Sequence, residues 1–192
     1  LLRFPANSVL TLSLSKNGLT EALLSGFYSK GTDIIDWVYP TAESKKYKAM
    51  NIGKLDNMGY SVDAALHLQE LLPEFFITRI KAGYAFIHQK HSTDGDVYGS
   101  LYALEYLRHK ATLQVDHRIW RQLTASWALR WQERMNGYHP YTKVDVRLQW
   151  TAPTYNIYVK ADNITNHHYY DLGNVRQPGI WVMAGASVKL KF

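Results

Sequence analysis

Several groups of residues carry side chains whose types and spacing invite a chemical reading. His88 and His91, in "HQKH", are metal-ligand types, but no third ligand is evident beside them. Ser126, Asp116 and His117 supply the residue types of a hydrolytic triad. Strand alternation puts His117 on the opposite face from its neighbour Asp116, near a turn, which is poor triad geometry. His167, His168, Tyr169 and Tyr170, in "HHYY", could contact a small ligand, as could Arg134 and Arg176. Arg130, Arg134, Arg147 and Lys160 are cations set within strand-like stretches, and Asp145 and Asp162 are available to pair with them. No glycine-rich phosphate loop is present. The expectation from these residues is of no enzyme, no cofactor and no resident metal.

Whatever these residues do, strands must position them. Helical periodicity is almost absent and period two is everywhere. "KVDVRLQW" alternates Val144, Val146, Leu148 and Trp150 with Lys143, Asp145, Arg147 and Gln149. "QLTASWALRWQER" alternates Leu123, Ala125, Trp127, Leu129 and Trp131 with Thr124, Ser126, Ala128, Arg130 and Gln132. "YNIYVKAD" sets Tyr155, Ile157, Val159 and Ala161 against Asn156, Tyr158, Lys160 and Asp162, and "VMAGASVKLKF" ends the chain in the same manner. Asn17-Gly18 is a hairpin turn signal. The pattern predicts about nine strands, near 8–15, 18–32, 52–69, 75–90, 102–118, 120–135, 141–151, 154–165 and 180–192. The short helix-like stretch "TEALLSGF" sits between a hairpin turn and another strand and is read as strand.

Each strand has one apolar face and one face with charges deep inside it. A soluble sandwich would give the same alternation, so the connections carry more weight. Turns near 16–18, 69–74, 118–120 and 151–154 are short, whereas those near 33–51, 91–101, 135–140 and 166–179 are long. A transmembrane β-barrel sorts its connections in this way, with tight turns at one rim and long loops at the other. Several strands also exceed the ~9–11 residues that cross a bilayer. Leu123, Ala125, Leu129, Val144, Val146, Leu148, Val159, Val188 and Leu190 are expected to face lipid. Trp120, Trp127, Trp131, Trp150, Tyr155 and Trp181 are candidates for an aromatic girdle.

Composition fits this picture. Lys and Arg exceed Asp and Glu by 22 to 16, and the charges are scattered, so no basic stripe suggests nucleic acid. Cysteine is absent, which excludes a disulfide scaffold and thiolate metal sites. Aromatic content is high, with 14 Tyr and 6 Trp to supply girdles. No apolar run approaches the ~20 residues of a membrane helix, and "LLRFPANSVL" lacks the marks of a signal peptide.

Order of motifs adds a resemblance. "VKADNITNHHYYDLGNVRQPGIWVMAGASVKLKF" resembles the closing segment of TonB-dependent outer-membrane receptors, with Asn163, Asn166, Tyr169 or Tyr170, Gln177-Pro178-Gly179 and the terminal Phe192 at the family's positions. "FYSKGTDIIDWV" and "NIGKLDNMGYSVDAAL" are similar to earlier strands of that family, the second with Asp63 where Glu is usual. "YLRHKATLQV" resembles another, with Arg108 in place of Pro, and Ile180 stands where Arg often follows "QPG". The resemblance implies an antiparallel barrel of the 22-stranded type in the bacterial outer membrane. A plug domain and a TonB contact would lie in an N-terminal region outside residues 1–192. It implies import of a scarce small nutrient of the siderophore-iron, haem or cobalamin class. Strand parity agrees: nine strands that finish at the periplasmic rim begin outside. The chain is therefore expected to be the C-terminal portion of a larger barrel, or to share one with another chain. Two other readings stay open: a non-transport outer-membrane adhesin or enzyme barrel, and a soluble β-sandwich binding module.

Overall fold

The computed structural model describes residues 7–16, 18–44, 46–51, 53–92, 98–100, 106–135, 137–171 and 175–189. Nine long strands form one antiparallel sheet, in chain order with short elements between them. They are β1 (Asn7–Lys16), β2 (Thr20–Thr32), β5 (Lys54–His67), β6 (Ile77–Ser92), β8 (Leu107–Trp120), β9 (Leu123–Arg134), β10 (Tyr141–Thr151), β11 (Tyr155–Asp162) and β14 (Trp181–Val188). Each pairs with the next, so the sheet is an up-and-down meander. It is open. β1 pairs with β2 and β14 with β11, and among the described residues neither has a second partner.

Register carries the facing of every side chain, because a strand alternates its faces residue by residue. Val182, Ala161, Val146, Trp127, Val115, Ile80 and Leu66 are successive partners across seven strands. The adjacent row is Met183, Lys160, Arg147, Ser126, Asp116, Arg79 and His67. The apolar rows form one face of the sheet and the polar rows the other. Two concavities, of about 670 and 550 Å³, lie along the polar face, against Asp63, Lys81, Arg130 and Asp145 in one case and Arg79, Asp116, Arg147 and Lys160 in the other. The polar face is therefore the inner one.

The expected strands are present, and the stretch "TEALLSGF" is strand, within β2. Sequence periodicity missed the short elements. β3 (Ile35–Tyr39), β4 (Lys48–Asn51) and β7 (Gly99–Ser100) form a small sheet joining two long loops, and β12 (Tyr170–Asp171) pairs with β13 (Val175–Arg176) in a third. A four-residue helix, α1 (Leu68–Leu71), lies in the β5–β6 connection. That connection makes one exception to the sorting of loop lengths. It shares its rim with the tight β8–β9 and β10–β11 turns, yet it is longer than the β9–β10 loop at the opposite rim. Leu190 and Phe192 lie outside the described residues.

Candidate functional site

Among the described residues, none covers the outer face. Leu12, Leu14, Leu24, Val62, Leu113, Leu129, Leu148, Ile157, Val159 and Val182 are all exposed on it. Soluble monomers rarely expose contiguous apolar patches beyond a few hundred Å². Aromatic rings bound this surface. Near the long-loop rim Tyr60 lies 5.7 Å from Phe86, Phe86 lies 4.9 Å from His109, and His109 lies 6.1 Å from Trp131. Tyr84 Oη is 2.7 Å from His109 Nδ1, which satisfies both part-buried polar groups. Near the short-turn rim Trp120 meets Trp150 edge-on at 6.4 Å. Leu123 and Trp131 are eight residues apart on β9, or about 27 Å of strand and about 20 Å of height at a tilt of ~40°. The apolar band of a membrane barrel is about 25 Å tall.

Two girdle assignments need correction. Trp181 pairs with Asp162, so it sits on the inner face, because the outward series begins one residue later at Val182. Trp127 is outward but lies midway between Leu123 and Trp131, away from either ring belt. Its indole N–H is satisfied by His117 Nε2 at 3.0 Å. Sequence reasoning passed over His109, although extending the Ala111, Leu113, Val115 series by one step reaches it.

The inner face is a charged wall. Arg79 Nη2 lies 2.6 Å from Asp116 Oδ2 and its Nε donates to the same oxygen at 2.7 Å. Gln114 donates to the other oxygen of Asp116. Lys143 pairs with Asp145 at 3.3 Å and Lys160 with Asp162 at 2.8 Å. Arg147 takes a different course, its guanidinium 4.1 Å over the ring of Tyr158. Tyr158 in turn lies flat on Gly185, where a Cβ would sit 2.6 Å from the ring.

At the long-loop rim the β11–β14 connection folds around Asn163, which is 2% exposed. Its backbone N–H donates to Asp145 Oδ1 at 2.8 Å. Its side-chain amide donates to the carbonyls of His167 and Pro178 and accepts from His167 N–H and Thr165 Oγ1. Asn163 and Asn166 both have positive φ, 53° and 49°, a conformation that Asn tolerates better than most residues. Asn166 Oδ1 accepts from Ile180 N–H, and its carboxamide fills the place where Gly179 would carry a Cβ. The N-x-x-N spacing and "QPG" are thus two halves of one clasp.

The candidate ligand residues cluster at this clasp, though not as one bare surface. Tyr169 stacks on Tyr141 at 4.1 Å, and His167 faces the same ring at 6.3 Å. Burial, the largest cause, raises the Tyr169 phenol above its ordinary range; Arg130 nearby opposes this. Arg134 is paired with Asp171 at 2.6 Å. Arg176 Nη2 lies 3.3 Å from His168 Nδ1, and Tyr170 is exposed opposite Arg176 on the β12–β13 ribbon. The exposed members are His167, His168, Tyr170 and Arg176. His88 and His91 are three residues apart on one strand and so face opposite ways. Asp116 and Ser126 are inward and His117 is outward.

Comparisons with known proteins agree with this architecture. The chain matches no family model and no curated protein sequence. Among solved structures it is similar to the FrpB iron transporter from Neisseria meningitidis, with a TM-score of 0.70 at 16% identity, over 94% of this chain and 29% of that one. It is similar to the copper transporter OprC, with a TM-score of 0.72 at 14% identity, over 96% of this chain and 31% of that one. The ferric yersiniabactin uptake receptor FyuA from Yersinia pestis gives 0.62 at 18% identity, over 94% and 27%. The chain thus spans less than a third of the length of these structures. At such identities the likeness is one of fold: the nine-stranded sheet matches part of the barrel of TonB-dependent receptors.

Proposed function

We propose that this chain is wall and rim of an outer-membrane barrel that imports a scarce nutrient in a TonB-dependent manner. On this reading further strands and a plug domain complete it, from sequence outside residues 1–192. The observation that carries the reading is the register. Seven strands place apolar side chains in one row, and six of the seven side chains in the next row are charged or hydrogen-bonding; among the described residues none covers the apolar side. Backbone groups can cross lipid only in helices or closed barrels, so an apolar-out, polar-in antiparallel sheet fits a barrel wall. A soluble sandwich would bury its apolar face against a second sheet of comparable size, and the other sheets among the described residues are only the three-stranded β4–β3–β7 sheet and the two-stranded β12–β13 ribbon.

The inner face supports a role in passage. It carries Arg79, Lys81, Arg130, Lys143, Arg147 and Lys160 against Glu21, Asp63, Asp116, Asp145 and Asp162. A partner in this lumen, whether plug or cargo, gains by presenting anionic groups. Metal–siderophore complexes, haem and cobalamin are the cargo classes proposed. His167, His168, Tyr169, Tyr170, Arg134 and Arg176 stand as ligand-contact candidates at the external rim, with Tyr169 and Arg134 also holding the rim together. The test is uptake by the source bacterium with the whole gene deleted and restored. Loss of growth on one such nutrient under limitation, and the same loss when TonB is removed, is the expected result. Unchanged uptake of all three classes would overturn the transport reading.

A further inference from the structure

We propose that the β5–β6 connection, Leu68–Phe76, is an interfacial anchor that seats in the headgroup–acyl boundary of the phospholipid leaflet at the short-turn rim. The proposal rests on the membrane-barrel reading above. It starts from an anomaly of length. The other described connections at this rim are two or three residues long, yet this one runs from α1 through Phe76 and is rich in apolar side chains.

Four of those side chains are in the open. Leu71 is 54% exposed, Leu72 53%, Phe75 38% and Phe76 57%. Two of them, Phe75 and Phe76, are tied to the outer side. Phe75 packs on Phe76 at 4.8 Å, and Phe76 meets the edge of His117 at 6.4 Å. His117 is outward, pairing with Ala125 and bonded to the outward Trp127. The backbone fixes the position, since Arg118 N–H donates to Phe76 O at 2.7 Å. The rings of Phe75, Phe76, His117 and Trp127 therefore continue the lipid-facing surface beyond the strand ends into the turn. Leu71 and Leu72 line one shallow concavity with Phe75, whose N–H donates to the Leu72 carbonyl.

The chemistry selects the occupant. Residues 68–76 hold Glu70 and Glu74 and no Lys or Arg, so attraction to anionic headgroups does not hold the turn down. Burial of Leu and Phe at an interface needs no charge, and a zwitterionic phospholipid surface suits it.

The experiment uses the full-length protein, free of other cysteines, in phosphatidylcholine vesicles. A polarity-sensitive fluorophore is attached through L72C or, separately, F75C. V146C on the outer wall is the lipid reference, and T154C in the β10–β11 turn is the aqueous one. Spin labels placed near the headgroups or at the acyl ends act as quenchers. The expected result is a blue-shifted probe at Leu72 and Phe75, quenched more by the shallow label than by the deep one, with no loss in high salt. Probes at both positions that behave like T154C, while V146C reports lipid, would overturn the anchor and leave the barrel standing. An aqueous V146C would overturn the barrel reading and the anchor with it.

Discussion

Trp127 donates its indole N–H to His117 Nε2 at 3.0 Å on the outer, apolar face of the sheet. The two residues lie on adjacent strands, one step apart in register, since Trp127 pairs with Val115 and His117 with Ala125. In lipid an indole N–H has no water to turn to, so an acceptor on the neighbouring strand removes a desolvation cost. Replacing His117 with Leu keeps the bulk and removes the acceptor. H117L and W127F, combined in a double-mutant cycle on the full-length protein in vesicles, are expected to show a coupling of about 0.5–1.5 kcal/mol. Strict additivity in urea unfolding would show that the bond contributes nothing.

Facing is tested by charge. V146R places a guanidinium in the apolar row and is expected to cost about 2–4 kcal/mol if it lies near the midplane. Asp145, next to it, looks like the obvious inward control, but it accepts from Asn163 N–H and pairs with Lys143, so its replacement would also disturb the rim. Gln149 is the better control: it is inward, on the same strand, and its side chain donates locally to Thr151. Q149R is expected to stay within about 1 kcal/mol of the parent. Equal losses at the two positions, read by urea unfolding, would reject the assignment.

Alternation made the nine long strands legible because facing repeats every second residue and one face meets an apolar medium. The same rule places Trp181 inward, one residue before the apolar series that starts at Val182, so an aromatic near a strand end is not by itself a girdle residue. β3, β4 and α1 were not legible because four or five residues hold too few repeats to distinguish a period. At the rim the N-x-x-N-x-x-Y and "QPG" spacings marked a structured segment. They did not reveal that Asn163 binds Asp145 from β10, or that Arg134 meets Asp171, 37 residues away. Those contacts depend on strand register and loop return, which composition does not encode.

Asn163 is expected to be the least replaceable residue of the rim. N163A removes the side-chain bonds to His167, Thr165 and Pro178 and puts alanine at φ 53°. Four lost hydrogen bonds at roughly 1 kcal/mol each, with a left-handed penalty of about 1 kcal/mol, predict a local loss of about 5 kcal/mol. N163G relieves only the backbone and is expected to recover the smaller part. Proteolysis within residues 163–180 is the readout, and parent-like resistance of N163A would count against the clasp.

Alkaline pH is expected to loosen the same segment. Burial raises the Tyr169 phenol above its ordinary value of about 10. Once the pH passes that value, the unfolded loop releases the proton while the folded one retains it. Stability contributed by this group is therefore complete below the ordinary phenol range and falls as the pH climbs through and beyond it. Y169F cannot ionise, so it is expected to flatten the rise of amide exchange in residues 163–171 above about pH 10. An unchanged pH profile in Y169F would assign the effect elsewhere.

Gly185, Tyr158 and Arg147 form a stack on the inner face in which each member sets the next. The Tyr158 ring can lie flat because position 185 has no Cβ: one there would sit 2.6 Å from the ring. The flat ring then offers its face to the Arg147 guanidinium at 4.1 Å, the geometry of a cation–π contact. A side chain at 185 has to lift the ring and release the guanidinium into the lumen. G185V is therefore expected to destabilise the full-length barrel by about 1–3 kcal/mol, the usual cost of overpacking. Y158F keeps both ring and stack and is expected to cost less than 1 kcal/mol, whereas Y158A frees Arg147 without crowding position 185. If releasing Arg147 is what matters for passage, G185V and Y158A should change the uptake rate of an anionic cargo in the same direction, with Y158F unchanged. Opposite changes in G185V and Y158A would show that the stack does not act through Arg147.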